Sequence, residues 1–361
     1  MKLTLCLVSS LLLLGGSLFA QVPGMMTMQP ASVPQGTDLG ANNTVNAAGI
    51  ALGNRVKLRG FVDFVYSHLD NETGTDDDRF TTAADVDFLL DFSPITAEVH
   101  LAGMTHEIVK DFGIEQAFGR YAFNRDFNIT FGRQVTNLGY EGDEPTDLHA
   151  VSNAYLLDVS TQHPATSSAF ASLGLTAPKI RKNYVDGVRA NFNNGRFGLS
   201  LGLHDKYWVK DDLNDNVALD IAASLMIVPG LEARLGYAHE ELDSNEITQF
   251  NTWIGYSAND LTLALEYDNF DVQGADLWDI MVLANYQFTN LFGLTFRYAH
   301  EDLETTAMTV DSNRFTLAFL FAVTSNFGVN VEYSHTKVDT NDVTIGDGDV
   351  NEFYVEGLLT F

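Results

Sequence analysis

The stretch KLRGFVDFVYSH, residues 57–68, alternates apolar and polar side chains with a period of two. The apolar members of one parity are Leu58, Val62, Phe64 and Tyr66. The polar members of the other parity are Lys57, Arg59, Asp63 and Ser67. Because successive side chains of a β-strand point to opposite faces, this pattern predicts a strand with one apolar and one polar face.

The same period returns many times between residues 56 and 361. Clear examples are TLALEYD (262–268), FGVNVEYS (327–334), VALDIAASLMI (217–227) and RFTLAFLF (314–321). Each segment is about ten residues long, which is typical of strands that cross a membrane. Counting these segments along the chain predicts about sixteen strands.

The connections between these strands alternate in length. Every second one is a tight turn, rich in residues that close hairpins, such as NNG at Asn193 and VPG at Val228. The others are longer and acidic, such as LDNETGTDDD (69–78) and HEELDSNE (239–246). The sequence therefore predicts an all-β protein: a closed antiparallel transmembrane β-barrel with short periplasmic turns and long extracellular loops.

Aromatic residues end the apolar parity at both ends of the strands. Those on the loop side are Tyr66, Tyr237, Tyr267, Tyr298 and Tyr333. Those on the turn side are Phe92, Phe123, Phe192 and Phe288. Two aromatic rings, one at each membrane interface, are typical of outer-membrane barrels. They favour the barrel over a soluble β-sandwich or jelly roll, which also alternates but has no reason to carry two rings.

The string YAHEELDS (237–244) is nearly repeated as YAHEDLET (298–305). His239 and His300 share the parity of the tyrosine before them, and His68 and His335 do the same after other ring tyrosines. A histidine ring with a polar tip, placed on the outer face at the level of the lipid head groups, is typical of an anchor at the membrane interface. The alternative is a metal site, but four histidines on separate strands would have to converge, and we predict no metal site.

The first residues resemble a secretory signal peptide, with an apolar run from Leu3 to Leu14 and a small-residue exit at Ala20. We therefore divide the chain into a signal peptide (1–20), a flexible leader (21–55) and a barrel (56–361). The only cysteine, Cys6, lies in the signal, so the exported chain has no thiol or disulfide. With 48 acidic against 20 basic residues, nucleic acid is excluded as a partner.

The last strand, NEFYVEGLLTF (351–361), ends on an aromatic of the outward parity, Phe361. It resembles the C-terminal signal by which outer-membrane proteins are presented to the barrel assembly machinery. Together with the strand count, the chain resembles Gram-negative porins. GFVDFVYS (60–67) and GVRANFNNGRFGLSLGL (187–203) are more specifically similar to the OmpL-like β-barrel porin family. The resemblance implies passive diffusion of small hydrophilic solutes across the outer membrane, contact with outer-membrane lipid and lipopolysaccharide, and a homotrimer.

The third long connection, about residues 135–182, is by far the longest. In porins of similar layout the third long loop folds into the lumen and narrows it, and long ordered loops are usually functional. We therefore expect a constriction loop. Its acidic residues are Glu141, Asp143, Glu144 and Asp147. An external lid over the barrel is the alternative.

The polar parity predicts the charges that line the channel. The basic ones are Arg59, Arg120, Arg189, Arg234, Arg297 and Arg314. The acidic ones include Asp63, Asp85, Asp87, Glu98, Asp220, Glu232, Glu266, Asp268, Asp279 and Glu332. Since acids outnumber arginines, we predict a weakly cation-selective pore. The alternative is that the arginines gather on one wall, face the acidic third loop and favour anions.

No catalytic pair, metal-ligand spacing or phosphate-binding loop is recognisable, so we predict no enzymatic activity and no cofactor. His100 and His204 fall on the luminal parity of separate strands. A surface receptor, adhesin or structural anchor built on the same barrel is the alternative function. It rests on the acidic loops alone.

Overall fold

The computed structural model describes residues 49–105, 110–155, 163–173, 180–208, 217–242 and 246–361. Sixteen antiparallel strands form one closed barrel, and a two-residue strand pairs with its first strand from outside the ring. The segment interpreted as a signal peptide and most of the expected leader lie outside the described residues. Among the described residues, no helix is long and apolar enough to span a bilayer.

The strands follow one another around the ring in chain order. The outside strand is β1 (Ile50–Ala51), and the barrel strands are β2 (Val56–Asn71), β3 (Asp77–Phe92), β4 (Ile95–Thr105), β5 (Lys110–Ala122), β6 (Phe127–Val135), β7 (Tyr184–Asn193), β8 (Phe197–His204), β9 (Ala218–Val228), β10 (Leu231–Glu241), β11 (Glu246–Ala258), β12 (Leu261–Val272), β13 (Ala275–Thr289), β14 (Phe292–Glu304), β15 (Thr309–Ala322), β16 (Phe327–Thr340) and β17 (Gly348–Thr360). Within the described residues a 3₁₀ turn spans Pro145–Asp147 and a short helix, α1, spans Pro164–Ser172.

The first and last barrel strands close the ring. β17 pairs with β2 in a register that places Val355 opposite Tyr66 and Thr360 opposite Phe61. Beyond the end of β17, the backbones of Phe361 and Gly60 exchange two hydrogen bonds of 3.0 Å. Closure satisfies the backbone donors and acceptors that an open sheet would leave at its edges, which hydrocarbon does not tolerate.

The connections confirm the predicted asymmetry. Seven of them lie at the end where β2 begins and β17 ends, and they join strands across two to four residues. The other eight lie at the opposite end and include the long connection between β6 and β7, although four of these eight also span only two to four residues. Several strands run further than the ten or so residues expected, so parts of the acidic segments are strand. One loop-side connection is only Gln273 and Gly274, both at positive φ, which is the geometry of a tight hairpin turn.

The two faces of the wall differ as the alternation predicts. Outward side chains such as Phe64, Leu235 and Phe315 are about half exposed, because lipid rather than protein would cover them. Inward side chains such as Arg189 and Asp268 are fully buried. Burial of charged groups on the inside and exposure of apolar groups on the outside reverse the layout of a water-soluble protein.

Removing Phe361 should lower the yield of folded barrel in the outer membrane. The deletion removes the two backbone bonds to Gly60 at the seam, as well as the terminal aromatic. The measurement is the fraction of the protein that migrates as a heat-modifiable band after membrane fractionation. The control is Val343→Ser in the β16–β17 loop, where the side chain is 97% exposed and should be dispensable. Normal assembly of the truncated chain would contradict the predicted role of Phe361 as an assembly signal.

Candidate functional site

The long connection between β6 and β7 crosses the inside of the barrel. Near its start, the backbone N–H of Tyr140 donates to Glu266 Oε1 on β12 at 2.6 Å. One residue later, Glu141 accepts from Arg297 Nη1 on β14 at 2.6 Å. In a ring of sixteen strands, β14 lies directly opposite β6. The loop therefore reaches the far wall through the lumen.

A serine of this loop is the centre of the contact with the far wall. The backbone N–H groups of Val151 and Ser152 donate to Glu332 Oε2 on β16, at 2.5 and 3.0 Å. Ser152 Oγ also binds Glu332, and it accepts from Arg297 and Arg314, each at 3.0 Å. One hydroxyl thus joins a carboxylate and two guanidinium groups on three neighbouring strands.

The end of the loop has its own contacts with the wall. Arg181 binds Asp279 on β13 and lies 3.5 Å from Glu301 on β14. The guanidinium carbon of Arg181 lies 3.7 Å from the ring centroid of Tyr155, a cation–π geometry. The Tyr155 hydroxyl donates to Glu266 Oε2 at 3.2 Å. A buried charge is stable only when a partner of opposite charge or a hydrogen bond compensates it. The ion pair of Arg181 with Asp279 and the contact of Arg181 with the Tyr155 ring therefore fix the two ends of the loop to each other and to the barrel wall.

An apolar cluster lies at the loop-side end of the lumen. From the loops it includes Ala165 and Ala169 of α1, Ile180 and Trp208, whose indole N–H donates to the Ile180 carbonyl at 2.8 Å. The inward wall residues of this cluster include Phe270, Val272, Leu277, Leu303, Val310 and Val338. These wall residues sit at or near the loop-side ends of β12 to β16. Apolar packing therefore holds α1 against the inside of the wall at this level.

The six arginines of the polar parity are each paired with an acid. The pairs are Arg59 with Asp87 at 2.6 Å, Arg120 with Glu98 at 3.7 Å, Arg189 with Asp220 at 3.2 Å, Arg234 with Glu232 at 3.5 Å, Arg297 with Glu141 at 2.6 Å and Arg314 with Glu352 at 2.7 Å. The arginines lie on six strands spread around the ring, so they do not gather on one wall.

Several acids of the same face are held by neutral donors. Asp268 accepts from the amides of Gln249 and Asn251, at 2.8 and 2.9 Å. Glu266 accepts from Asn251 at 2.9 Å, in addition to its two bonds from the loop. The inward acids that form no ion pair within the described part of the chain include Asp63, Asp85, Glu266 and Glu332. The buried inner face thus carries more carboxyl groups than guanidinium groups.

The four acids of the loop do not form one ring around an opening. Glu141 binds the far wall through Arg297, whereas Asp143 accepts from the Tyr184 hydroxyl at 2.7 Å, beside the loop's own root. Desolvation raises the pKa of the Glu144 carboxyl well above its ordinary value, and the nearby Asp147 carboxylate adds to this shift. Desolvation likewise raises the pKa of Asp147. Carboxylates at these positions therefore lack the water that normally stabilises them.

The basic residues of the loop were not among the predicted site residues. Arg181 and Lys182 belong to the run KIRK, residues 179–182, which is the one basic cluster in an otherwise acidic segment and was the available signal. Desolvation lowers the pKa of Lys182 to about 8, although Glu266 opposes the shift. No comparable signal in the sequence identifies Ser152, because serine is common in loops and its role depends on where the loop crosses.

The histidines of the loop-side rim lie on the outer face with their tyrosines. Tyr66 Oη and His68 Nδ1 both bind Asp78 Oδ1 on the next strand, at 2.8 and 2.9 Å. Two further pairs share one acceptor in the same way, Tyr298 and His300 on Asn313, and Tyr333 and His335 on Asn351. These contacts give each Tyr-x-His pair a local structural role at the rim.

Replacing Arg297 with alanine should release the loop from the far wall. The change leaves Glu141 buried without its cation and removes two bonds to loop carbonyls. Breaking a buried pair from one side costs about 3–5 kcal/mol. Hydrogen exchange at residues 150–155 should therefore become faster in the folded barrel. Arg125→Ala is the control, since its side chain is 89% exposed in a turn. Unchanged exchange in Arg297→Ala would show that the loop does not depend on this contact.

No family model and no curated protein matches the sequence, so the more specific resemblance to OmpL-like porins stays a prediction. Solved structures do match. OprB of Pseudomonas putida aligns with a TM-score of 0.62 at 11% identity, over 85% of this chain and 94% of that one. The anion-selective porin of Comamonas acidovorans aligns with a TM-score of 0.58 at 13% identity, over 85% of this chain and 99% of that one. The trimer form of OmpT of Vibrio cholerae aligns with a TM-score of 0.56 at 14% identity, over 85% of this chain and 100% of that one. The chain has the fold of the outer-membrane porins.

Proposed function

We propose that the protein is an outer-membrane porin through which small hydrophilic solutes and ions diffuse passively. The observation that carries the proposal is the long connection between β6 and β7, residues 136–183 (the 136–183 loop). This loop crosses the lumen of a closed sixteen-stranded barrel and is bound to its inner wall by charged and polar groups. A loop fixed in this way would narrow a water-filled passage without filling the barrel along its whole length. The fold likeness to porins supports the same function.

Several further assignments belong to the same proposal. The six inward arginines and their neighbouring acids would line the channel, and the 136–183 loop would form its narrowest part, with Glu141 at its contact with the far wall. The chain would reach the outer membrane through a cleaved signal peptide, be inserted by the barrel assembly machinery through Phe361 and contact lipopolysaccharide at its outer rim. The trimer form of the Vibrio cholerae OmpT supports a homotrimer.

The charges on the inner face favour cations. Each predicted arginine is neutralised by an acid, so the arginines contribute little net field. The acids without an ion pair, such as Glu266 and Glu332, would add a negative potential wherever they are ionised. An ion in a narrow passage stays within the Debye length of about 8 Å from such charges. The fold by itself does not set the sign, because an anion-selective porin has the same architecture.

A second candidate function follows from the apolar cluster at the loop-side end. Packing of α1 against inward apolar wall residues such as Phe270 and Leu277 is the arrangement of a closed lid. A barrel closed at that end would serve as a surface receptor, adhesin or structural anchor rather than as a channel. Conductance of the purified protein in a planar bilayer distinguishes the two, since a closed barrel carries no steady current.

The reversal potential in a potassium chloride gradient should have the sign of a cation-selective pore. Glu332→Gln should reduce the preference for potassium, because it removes a buried negative charge while keeping the shape of the side chain. Glu304→Gln is a matched control on β14, where the side chain is exposed on the outer face. An anion-selective sign in the wild-type protein would overturn the proposed selectivity.

Deleting residues 141–173 and joining the ends with a short glycine-serine linker should raise the single-channel conductance and admit larger solutes. The deletion removes both the contacts with the far wall and the helix α1. Shortening the β16–β17 connection by removal of Val343 is the control, because that residue is almost fully exposed. The same conductance and exclusion limit in both variants would argue against a constriction formed by this loop.

A further inference from the structure

A group of potential metal ligands lies buried on the inner face of β3 and β4. Ligand atoms of Asp85, Asp87 and His100 lie within 4.8 Å of one another. All three residues are buried, with 1%, 3% and 0% of their surface exposed. No N–H or hydroxyl group of the described residues donates to either carboxylate oxygen of Asp85, whose polar neighbour is the carboxyl group of Asp87. A carboxyl group so deeply buried is stable only when a proton or a nearby cation neutralises it.

A second set of ligands meets the first at His100. Ligand atoms of His100, Glu115 and Glu144 also lie within 4.8 Å of one another. Glu115 is the unpaired residue where the β4–β5 register shifts, since His100 pairs with Gln116 and the next residue of β4 pairs with Ile114. Such a bulge re-aims a side chain, and here Glu115 joins the inward cluster. Glu144 comes from the loop, so the two sets together connect wall and loop.

The hydrogen bonds of the imidazole leave one ring nitrogen facing the acids. His100 Nε2 lies 3.2 Å from Glu98 Oε2, while Nδ1 lies 3.0 Å from Asp87 Oδ1 and 3.1 Å from the side-chain nitrogen of Gln116. In a neutral imidazole that donates from Nε2 to Glu98, the Nδ1 lone pair accepts from the Gln116 amide, whose carbonyl oxygen is held by the Val135 backbone N–H, so a metal ion at Nδ1 would displace this amide bond. A metal-binding histidine commonly has this arrangement, in which a carboxylate holds the other ring N–H.

The charges around His100 do not balance. Arg59 pairs with Asp87 and also approaches Glu98, while Arg120 approaches Glu98. These two cations offset two of the acids. The remaining carboxyl groups are Asp85, Glu115 and Glu144, and none of them forms an ion pair in the part of the chain that the structure describes. The group around His100 therefore holds three more carboxyl groups than guanidinium groups.

We propose that His100, with Asp85 and Asp87 from the wall and Glu115 and Glu144 around it, binds a divalent transition-metal ion that ties the 136–183 loop to the barrel wall. Neighbouring ligands of an octahedral ion at about 2.1 Å are about 3.0 Å apart, which is the separation of His100 Nδ1 and Asp87 Oδ1. An imidazole among carboxylates suits Mn²⁺ or Zn²⁺ better than Ca²⁺ or Mg²⁺. The ion would hold the loop at β3 and β4, three to six strands around the ring from the strands β14 to β16 that contact Ser152. This site goes beyond the proposed diffusion function, because a barrel that does not conduct could bind the ion equally well.

The test uses the full chain folded in detergent and stripped of metal with a chelator. Titration calorimetry with Mn²⁺ alone and with Zn²⁺ alone should each show one saturable site. Asp85→Asn and His100→Gln should each weaken binding by roughly 10-fold or more, the scale on which even outer-shell changes act. His204→Gln is the matched control, because His204 is also buried on the inner face but faces a balanced group of one acid and one arginine. Equal affinity in the His100→Gln and His204→Gln proteins would overturn the site.

Two further measurements complete the test. Glu144→Gln should weaken binding as well, and unchanged affinity there would overturn the tie between loop and wall. Pulsed electron paramagnetic resonance of the Mn²⁺-loaded wild-type protein should show coupling to one imidazole nitrogen. This spectrum needs no variant, so the proposal can be tested even if His100→Gln fails to assemble. A wild-type protein that binds neither ion, or binds Mn²⁺ without a nitrogen ligand, would overturn the proposal.

Discussion

Hydrocarbon offers no hydrogen bonds, and most of this structure follows from that constraint. Every backbone N–H and C=O at membrane depth must find a partner within the protein, so a sheet in the membrane must close on itself. Here closure is made by β17 and β2, and the last residue, Phe361, continues the pairing beyond the strand. A closed antiparallel ring fixes one face toward lipid and the other toward the lumen. The strict alternation of the strands is the form in which the sequence meets this demand.

Closure with sixteen strands creates a second problem, because the lumen is too wide for wall side chains alone to fill. The 136–183 loop occupies it, and the way it is held changes with depth. At the loop-side end α1 packs against apolar wall residues, whereas deeper in the lumen Arg297, Arg314 and Glu332 hold the loop through charge-assisted bonds. Apolar packing needs no exact geometry, but buried charges do. The deeper contacts therefore determine the path of the loop, and the apolar ones add to its stability.

The parity of each strand could be predicted from the sequence, since a period of two depends only on neighbouring residues. The height of each side chain along the barrel axis and its hydrogen-bond or ion-pair partners could not be predicted in this way. Arg314 on β15 and Glu352 on β17 are separated by the whole of β16, and their pairing depends on register and rotamer rather than on local pattern. The position of Glu115 depends on a bulge, which adds one residue without a clear sequence signal. The contacts of Ser152 depend on the route of a long loop. The strands run past the expected ten residues because the acidic segments continue the strand pairing beyond the membrane. Water there can hydrogen-bond to the backbone of a strand or of a loop, so the sequence pattern does not mark where the strand ends.

The pairing of the arginines changes how the selectivity of this barrel should be understood. An excess of acids in the sequence predicts the sign of the field, but the field at a given height depends on which acids remain uncompensated. Glu266 and Glu332 are bound to backbone N–H groups of the loop, so the loop donors that hold them are neutral. The loop therefore fixes the position of each of these two carboxyl groups on the inner face. A displacement of the loop would remove those donors and would also admit water and salt to the same carboxylates. The path of the loop and the electrostatics of the lumen are thus one property, and the loop cannot move without changing both.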